Sequence, residues 1–227
     1  MVDPLAPPGS TRRTTLHRLP DKAIHDRAVA YAILDAGLLA HVAFLGDDGP
    51  ALTPMGYARD GDRLLMHGSR ASRSMRALAS GTPAVANVTL LDGVVLARSL
   101  FESSMHYRSV TAFGTACELP ADEVDEALRI MSEHMLPGRY SEARRPTQQE
   151  LRATITIAFP LDEIAVKVSA GAPEDTDEDR EDPRIAALWA GTVPIMSQWG
   201  PPRADDLTPT GTPAPEYIAT WLPPGRS

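Results

Sequence analysis

Apolar positions along this 227-residue chain change period several times, and each change predicts an element. Between Asp21 and Gly37, Ile24, Ala28, Tyr31 and Leu34 recur at helical spacing, with Asp21 as N-cap and Gly37 as stop. Short apolar runs separated by turn residues follow. LLAHVAFL (38–45) passes through Gly46-Asp47-Asp48-Gly49-Pro50 into ALTPMGYA, and Arg59-Asp60-Gly61-Asp62 leads into RLLMH, which is the pattern of an antiparallel meander. Residues 69–80 (SRASRSMRALAS) read as a helix, PAVANVTLLDGVVLARS returns to strands, and 106–118 (HYRSVTAFGTACE) reads as one long strand closed by Pro120. Val124, Leu128, Met131 and Met135 share a face of an amphipathic helix over 121–136, and TITIAFPL and EIAVKVSA add further strands. The sum is six to seven strands with interspersed helices, an α+β antiparallel β-barrel.

The ends break this pattern. Residues 1–20 hold several prolines and no period, which predicts a flexible N-terminal arm before a domain spanning 21–200. The acidic run EDTDEDRED (174–182) predicts a solvated loop, PRIAALWAGTVPI is apolar again, and 201–227 form a Pro-rich tail that could wrap a neighbour.

Composition narrows the function classes. Hydrophobic residues at 43% and charged residues at 23% are the balance of a globular protein, and the length suits one domain. A net charge of −8 disfavours nucleic acid as a partner. No apolar run reaches the about 18 residues of a membrane span, and the N-terminus lacks a secretory segment, so a cytoplasmic location is expected with no membrane partner. Cys117 is the single cysteine and is expected to be buried in its strand as inert packing. His41, His67, His106 and His134 show no ligand spacing, so no metal is expected.

The absence of GxGxxG, GxxxxGK[ST], HExxH, CxxC and GxSxG removes the common dinucleotide, P-loop, zinc and hydrolase readings. What stands out is His67-Gly68-Ser69-Arg70-Ala71-Ser72-Arg73-Ser74-Met75-Arg76, where a strand runs into a helix. Backbone N–H groups, hydroxyls and guanidinium forks together make a phosphate cradle, and a capped helix with solvated arginines is the plainer alternative. In Met105-His106-Tyr107-Arg108-Ser109-Val110, alternation puts Tyr107 and Ser109 on one face and His106, Arg108 and Val110 on the other; either face could meet a ligand, and ordinary barrel wall is the plainer reading. Trp189 suits a core or interface anchor.

Four stretches in order, HGSRASRSMRAL, LDGVVLARSLFESSMHYRSVTAFGTACEL, PGRY with the later R.PT..EL.AT, and LWAGTVPI, cover roughly residues 20–200. Together they resemble the FMN-binding split-barrel family related to pyridoxamine 5′-phosphate oxidase, including its nitroimidazole-resistance-type branch. The resemblance implies a split barrel that holds FMN at a homodimer interface. It places the backbone of Thr53-Pro54-Met55 along the flavin ring edge and Met66 and His67 beside the ribityl chain or phosphate. Ser72-Arg73-Ser74 matches the phosphate motif, with Ser74 where the family carries lysine and Arg76 or Arg70 as substitutes; Ser69 belongs to the same turn. Ser109 matches a polar residue that reaches flavin across the dimer, Trp189 a tryptophan near the rings, and His106 a frequent asparagine.

The chain ends in APEYIATWLPPGRS rather than the Arg-x-His segment of the true oxidases, so vitamin B6 oxidation is not expected. An FMN-dependent oxidoreductase acting on a nitro compound, a quinone or a specialised metabolite is, with NAD(P)H as a possible donor. The alternative is a non-catalytic flavin or heme protein, for which His67 and His106 offer imidazoles.

Overall fold

In the computed structural model, which describes residues 5–219, all strands join one antiparallel sheet. After a single 3₁₀ turn (Pro20–Lys22) come α1 (Arg27–Ala36), β1 (Leu39–Gly46), β2 (Gly49–Asp60), β3 (Arg63–Ser69), α2 (Arg73–Ala79), β4 (Pro83–Leu96), β5 (Ser104–Thr115) and β6 (Cys117–Glu118). Then follow α3 (Val124–Met135), α4 (Arg139–Glu142), α5 (Gln148–Ala153), β7 (Thr154–Pro160), β8 (Glu163–Ser169), α6 (Asp177–Glu181), α7 (Pro183–Ala186), β9 (Gly191–Pro194) and α8 (Glu216–Ala219). The order across the sheet is β6-β7-β3-β2-β1-β4-β5-β8, with β9 added beside the far half of β4. This is the split barrel. Its nine strands exceed the six to seven expected because β6 and β9, of two and four residues, are too short to show a period.

Strand alternation sorts the side chains. Leu64 and Met66 of β3 point into the main core with Tyr57, Phe159 and Ile164, while Leu65 faces outward beneath Ala127 and Met131 of α3. The helix therefore covers the outer face of β3, the face to which His67 also belongs.

Three sequence expectations change. The first helix starts at Arg27 under an Asp26 cap, not at Asp21, because Ala23 bridges Lys167 and Ile24 N–H donates to Val166, which keeps this stretch extended on β8. Cys117 is exposed, since β6 is only a two-residue edge strand. The acidic run contains helix α6 under a Thr176 cap, and Asp175 just before it is buried.

The N-terminal segment lies along β8. Gly9 N–H donates to the Ile164 carbonyl (2.8 Å), and the Thr11 hydroxyl and Arg13 guanidinium both engage Glu163. Arg27 donates to the carbonyls of Leu161 (2.7 Å) and Ala6 (2.6 Å). At the other end, Tyr217 of the tail packs over Gly138 and its hydroxyl meets Glu142.

The β4–β5 hairpin outruns the barrel. β1 pairs with β4 only from Ala84 to Asn87, and the pairing of β8 with β5 stops at Tyr107, opposite Leu91. Past a bulge at Asp92, whose carboxylate takes a bidentate bond from Arg108 (2.8 and 2.9 Å), the hairpin continues with β9 at its side. Among the described residues no helix is long and apolar enough to cross a membrane.

Candidate functional site

The turn between β3 and α2 is built from its own polar groups. Ser69 Oγ accepts from Ala71 N–H (3.2 Å) and Ser72 Oγ caps α2 by accepting from Met75 N–H (3.4 Å). Arg70 turns away to Glu118 (2.5 Å), and Arg76 folds back onto the carbonyls of Arg70 (3.2 Å) and Ala71 (2.7 Å). Arg73, Ser74 and Arg76 line one wall of a cleft of about 530 Å³, and the β1–β2 hairpin with Asp47 and Asp48 forms the other. Arg73 reaches Asp48 at 3.2 Å, with side chains 86% and 90% exposed. Such a pair is weak. Arg73 is thus the arginine of this turn that an anionic ligand can recruit by displacing a loosely held partner.

The predicted ring-edge residues lie on β2, where Thr53, Pro54 and Met55 pair with Val42, His41 and Ala40. Met55 and Met66 both bury their side chains in the core, so they can offer a ligand only backbone. Pro54 is exposed on the outer face and Thr53 is half-buried.

His67 is directed elsewhere than its turn neighbours. It lines two adjoining cavities of about 220 and 300 Å³ between β3, α3 and the segment 140–154, which share His67, Leu128, Arg144 and Pro146. The walls are largely apolar, with Met131 and Met135 from α3. Packing around the imidazole pushes its pKa below the usual histidine value, so the ring is neutral near pH 7 and its free nitrogen can ligate. Arg144 holds Glu150 in a bidentate pair (2.8 and 2.9 Å), and this contact with the Thr147 N–H pulls Glu150 down to about 2. Arg145 stacks over the Tyr140 ring at 3.3 Å from its centroid. The sequence reading missed Arg144, Arg145 and Tyr140 as site residues, although all three lie in or beside the PGRY…R.PT stretch.

Ser109 is half-buried in β5 between Thr89 and Lys167. Trp189 is 68% exposed and packs over Gly191, which pairs with Leu96 at the tip of β4. The cleft of Arg73 lies by the β1–β2 hairpin, level with Ala84 at the opposite end of β4. Twelve residues of strand separate these levels, roughly 40 Å along the strand. One chain does not bring Trp189 to Arg73. His106, opposite Gly93, also belongs to the projecting hairpin rather than to the His67 cavity.

A family model described as pyridoxamine 5′-phosphate oxidase matches residues 26–168, from the cap of α1 to the end of β8. The chain belongs to this family. Two solved structures extend the match to nearly the whole pyridoxamine 5′-phosphate oxidase-family chain. The FAD and heme binding protein from Mycobacterium smegmatis is 40% identical over 91% of this chain and 100% of its own, with a TM-score of 0.84. The flavocytochrome Anf3 from Azotobacter vinelandii is 35% identical over 96% and 99%, with a TM-score of 0.86. A nitroimidazole antibiotic resistance protein from Bacteroides thetaiotaomicron, 20% identical over 64% of this chain and 86% of its own with a TM-score of 0.53, shares the fold. No curated protein sequence matches this family member.

Proposed function

We propose that this chain is a flavin-dependent redox protein that also holds heme and works as a homodimer. The observation that carries the heme half is His67, a neutral imidazole facing an apolar cavity rimmed by arginines. Those residues fit the group: the imidazole would be the iron ligand, Leu128, Met131 and Met135 would pack the macrocycle, and Arg144 and Arg145 suit its propionates. The flavin half rests on the cleft of Arg73, with Ser74 and the turn N–H groups as further donors to phosphate. The M. smegmatis relative is named for FAD and heme and the A. vinelandii relative as a flavocytochrome, which favours FAD over the FMN implied by the family at large.

A bound flavin would supply hydride acceptance from a two-electron donor, and a heme single-electron chemistry beside it. The chain's own contribution is to hold both. Arg73 would anchor the phosphate end, the β2 backbone would lie along the ring edge, and α3 with the 140–154 segment gives the solvent-open His67 cavity its apolar walls. The separation of Trp189 from Arg73 supports the homodimer, because Trp189 can join the flavin site of Arg73 only when a second copy presents it. The electron acceptor we propose is a small molecule such as a quinone or nitro compound, with NAD(P)H as donor.

The test is an absorption spectrum of the purified protein, with chromatography of the released cofactor. Flavin bands plus a Soret band are expected, with FAD released, and His67→Ala should lose the Soret band while keeping the flavin bands. A Soret band that persists in His67→Ala removes the ligand assignment.

A further inference from the structure

We propose that the tip of the β4–β5 hairpin closes the His67 cavity of a second copy of this chain, with Leu100 and Phe101 at its mouth and Glu102 facing Arg145 of that copy. The proposal rests on the homodimer reading. It starts from a surface that its own barrel leaves uncovered. Leu100 and Phe101 are 97% and 86% exposed, and Val94, Leu96 and Met105 on the hairpin and Val193 on β9 are exposed beside them. Burying large apolar side chains is favourable, so a loop that presents two of them to water is built for a partner.

The loop is rigid. Ser103 Oγ accepts from Ala97 N–H (3.1 Å) and donates to the Ser99 carbonyl (2.9 Å), and Ser99 Oγ accepts from Glu102 N–H (3.1 Å). Arg98 clamps the base: its guanidinium and N–H both bond the buried Asp175 (2.5 and 2.8 Å), and its Nε donates to the Ala186 carbonyl (3.3 Å). Little entropy is then left to lose on docking, which is the property of an anchor residue.

The matching surface is on the same chain. The His67 cavity is open to solvent and apolar, and Arg145 at its rim stacks on Tyr140 without an ion pair among the described residues. The Glu102 carboxylate also makes no ion pair among the described residues, its N–H alone being held by Ser99. Prong and cavity thus agree in apolarity and charge, and a two-fold pair satisfies both contacts twice. A lipid surface suits the prong less well, because the acidic 174–182 segment is tethered at its base through Asp175 and the chain carries −8. A cofactor in the cavity would then be sealed by two chains.

The experiment uses the full chain with Cys117→Ser, Glu102→Cys and Arg145→Cys, treated with a short bis-maleimide and run on a denaturing gel. A covalent dimer is expected from the double-cysteine protein and not from either single-cysteine control. A protein that light scattering finds dimeric, yet that fails to cross-link, overturns the placement of the tip; a monomer at micromolar concentration overturns the homodimer reading as well. Charge reversal gives an independent measure. Glu102→Arg and Arg145→Glu should each raise the dimer dissociation constant about fourfold to twenty-fivefold, twofold to fivefold for each of the two symmetry-related rim ion pairs, and the double reversal should restore it. Failure of the double reversal to recover contradicts the pairing.

Discussion

Arg73 and His67 sit six positions apart yet serve different spaces, because His67 still follows the strand alternation and Arg73 already belongs to the helix. Losing the charged hydrogen bonds of Arg73 should cost about 1–3 kcal/mol of flavin affinity in Arg73→Ala. Asp48→Asn should tighten flavin by up to about fivefold, since the competing carboxylate of a weak surface pair is removed. Titration of the apoprotein with flavin, followed by fluorescence quenching, measures both. The pH response of His67 has a defined sign. Its folded pKa is lowered by burial, so the folded chain holds that proton less readily than the unfolded chain. Above about pH 6.5 both forms are neutral and nothing changes; as pH falls from there toward the lower folded pKa the unfolded chain takes the proton first and stability is lost, the loss being complete below the folded pKa. The melting temperature between pH 7 and 5 should fall more steeply in the cofactor-free wild-type chain than in cofactor-free His67→Gln. Arg73 was legible because its partners lie within one turn of sequence. Arg144 and Arg145 were not, since only the passage of α3 over the outer face of β3 brings residues more than seventy positions away onto His67.

At the scale of elements, what the sequence revealed depended on length and locality. β1, β2, β3 and α3 are long enough for a period to show, and their residues were placed within a few positions. The start of α1 was misplaced because Asp21 and Asp26 both qualify as caps, and the bonds from Ala23 and Ile24 to β8 decide between them. β9 depends on a partner instead of a pattern. At Gly93 a Cβ would meet the Val193 carbonyl oxygen at 2.8 Å and the Pro194 Cα at 3.3 Å, both backbone atoms that cannot swing aside. Gly93→Ala should therefore loosen β9 and speed amide exchange at residues 191–193, while the barrel keeps its melting temperature to within a few degrees. Unchanged exchange there would show that β9 tolerates a methyl group at this contact.

Across the whole molecule, the barrel supplies one wall of each site and the projecting hairpin leaves it. Leu39, Leu45 and Leu52 are exposed on β1 and β2 as well as the hairpin residues, an amount of bare apolar surface that a solitary domain seldom keeps. The two ends of the sheet are treated differently. On one side the edge is β6, too short to recruit a foreign strand. On the other, β8 would be a seven-residue edge in which Ile164, Val166 and Val168 alternate with Glu163, Ala165, Lys167 and Ser169, and the N-terminal segment lies across it through Gly9, Ala23 and Ile24. That segment covers the edge that a neighbouring strand would otherwise find. Trimming residues up to Ile24 would bare the amides and carbonyls of β8 to neighbouring molecules, and solubility would be lost before the Arg73 cleft or the His67 cavity was disturbed.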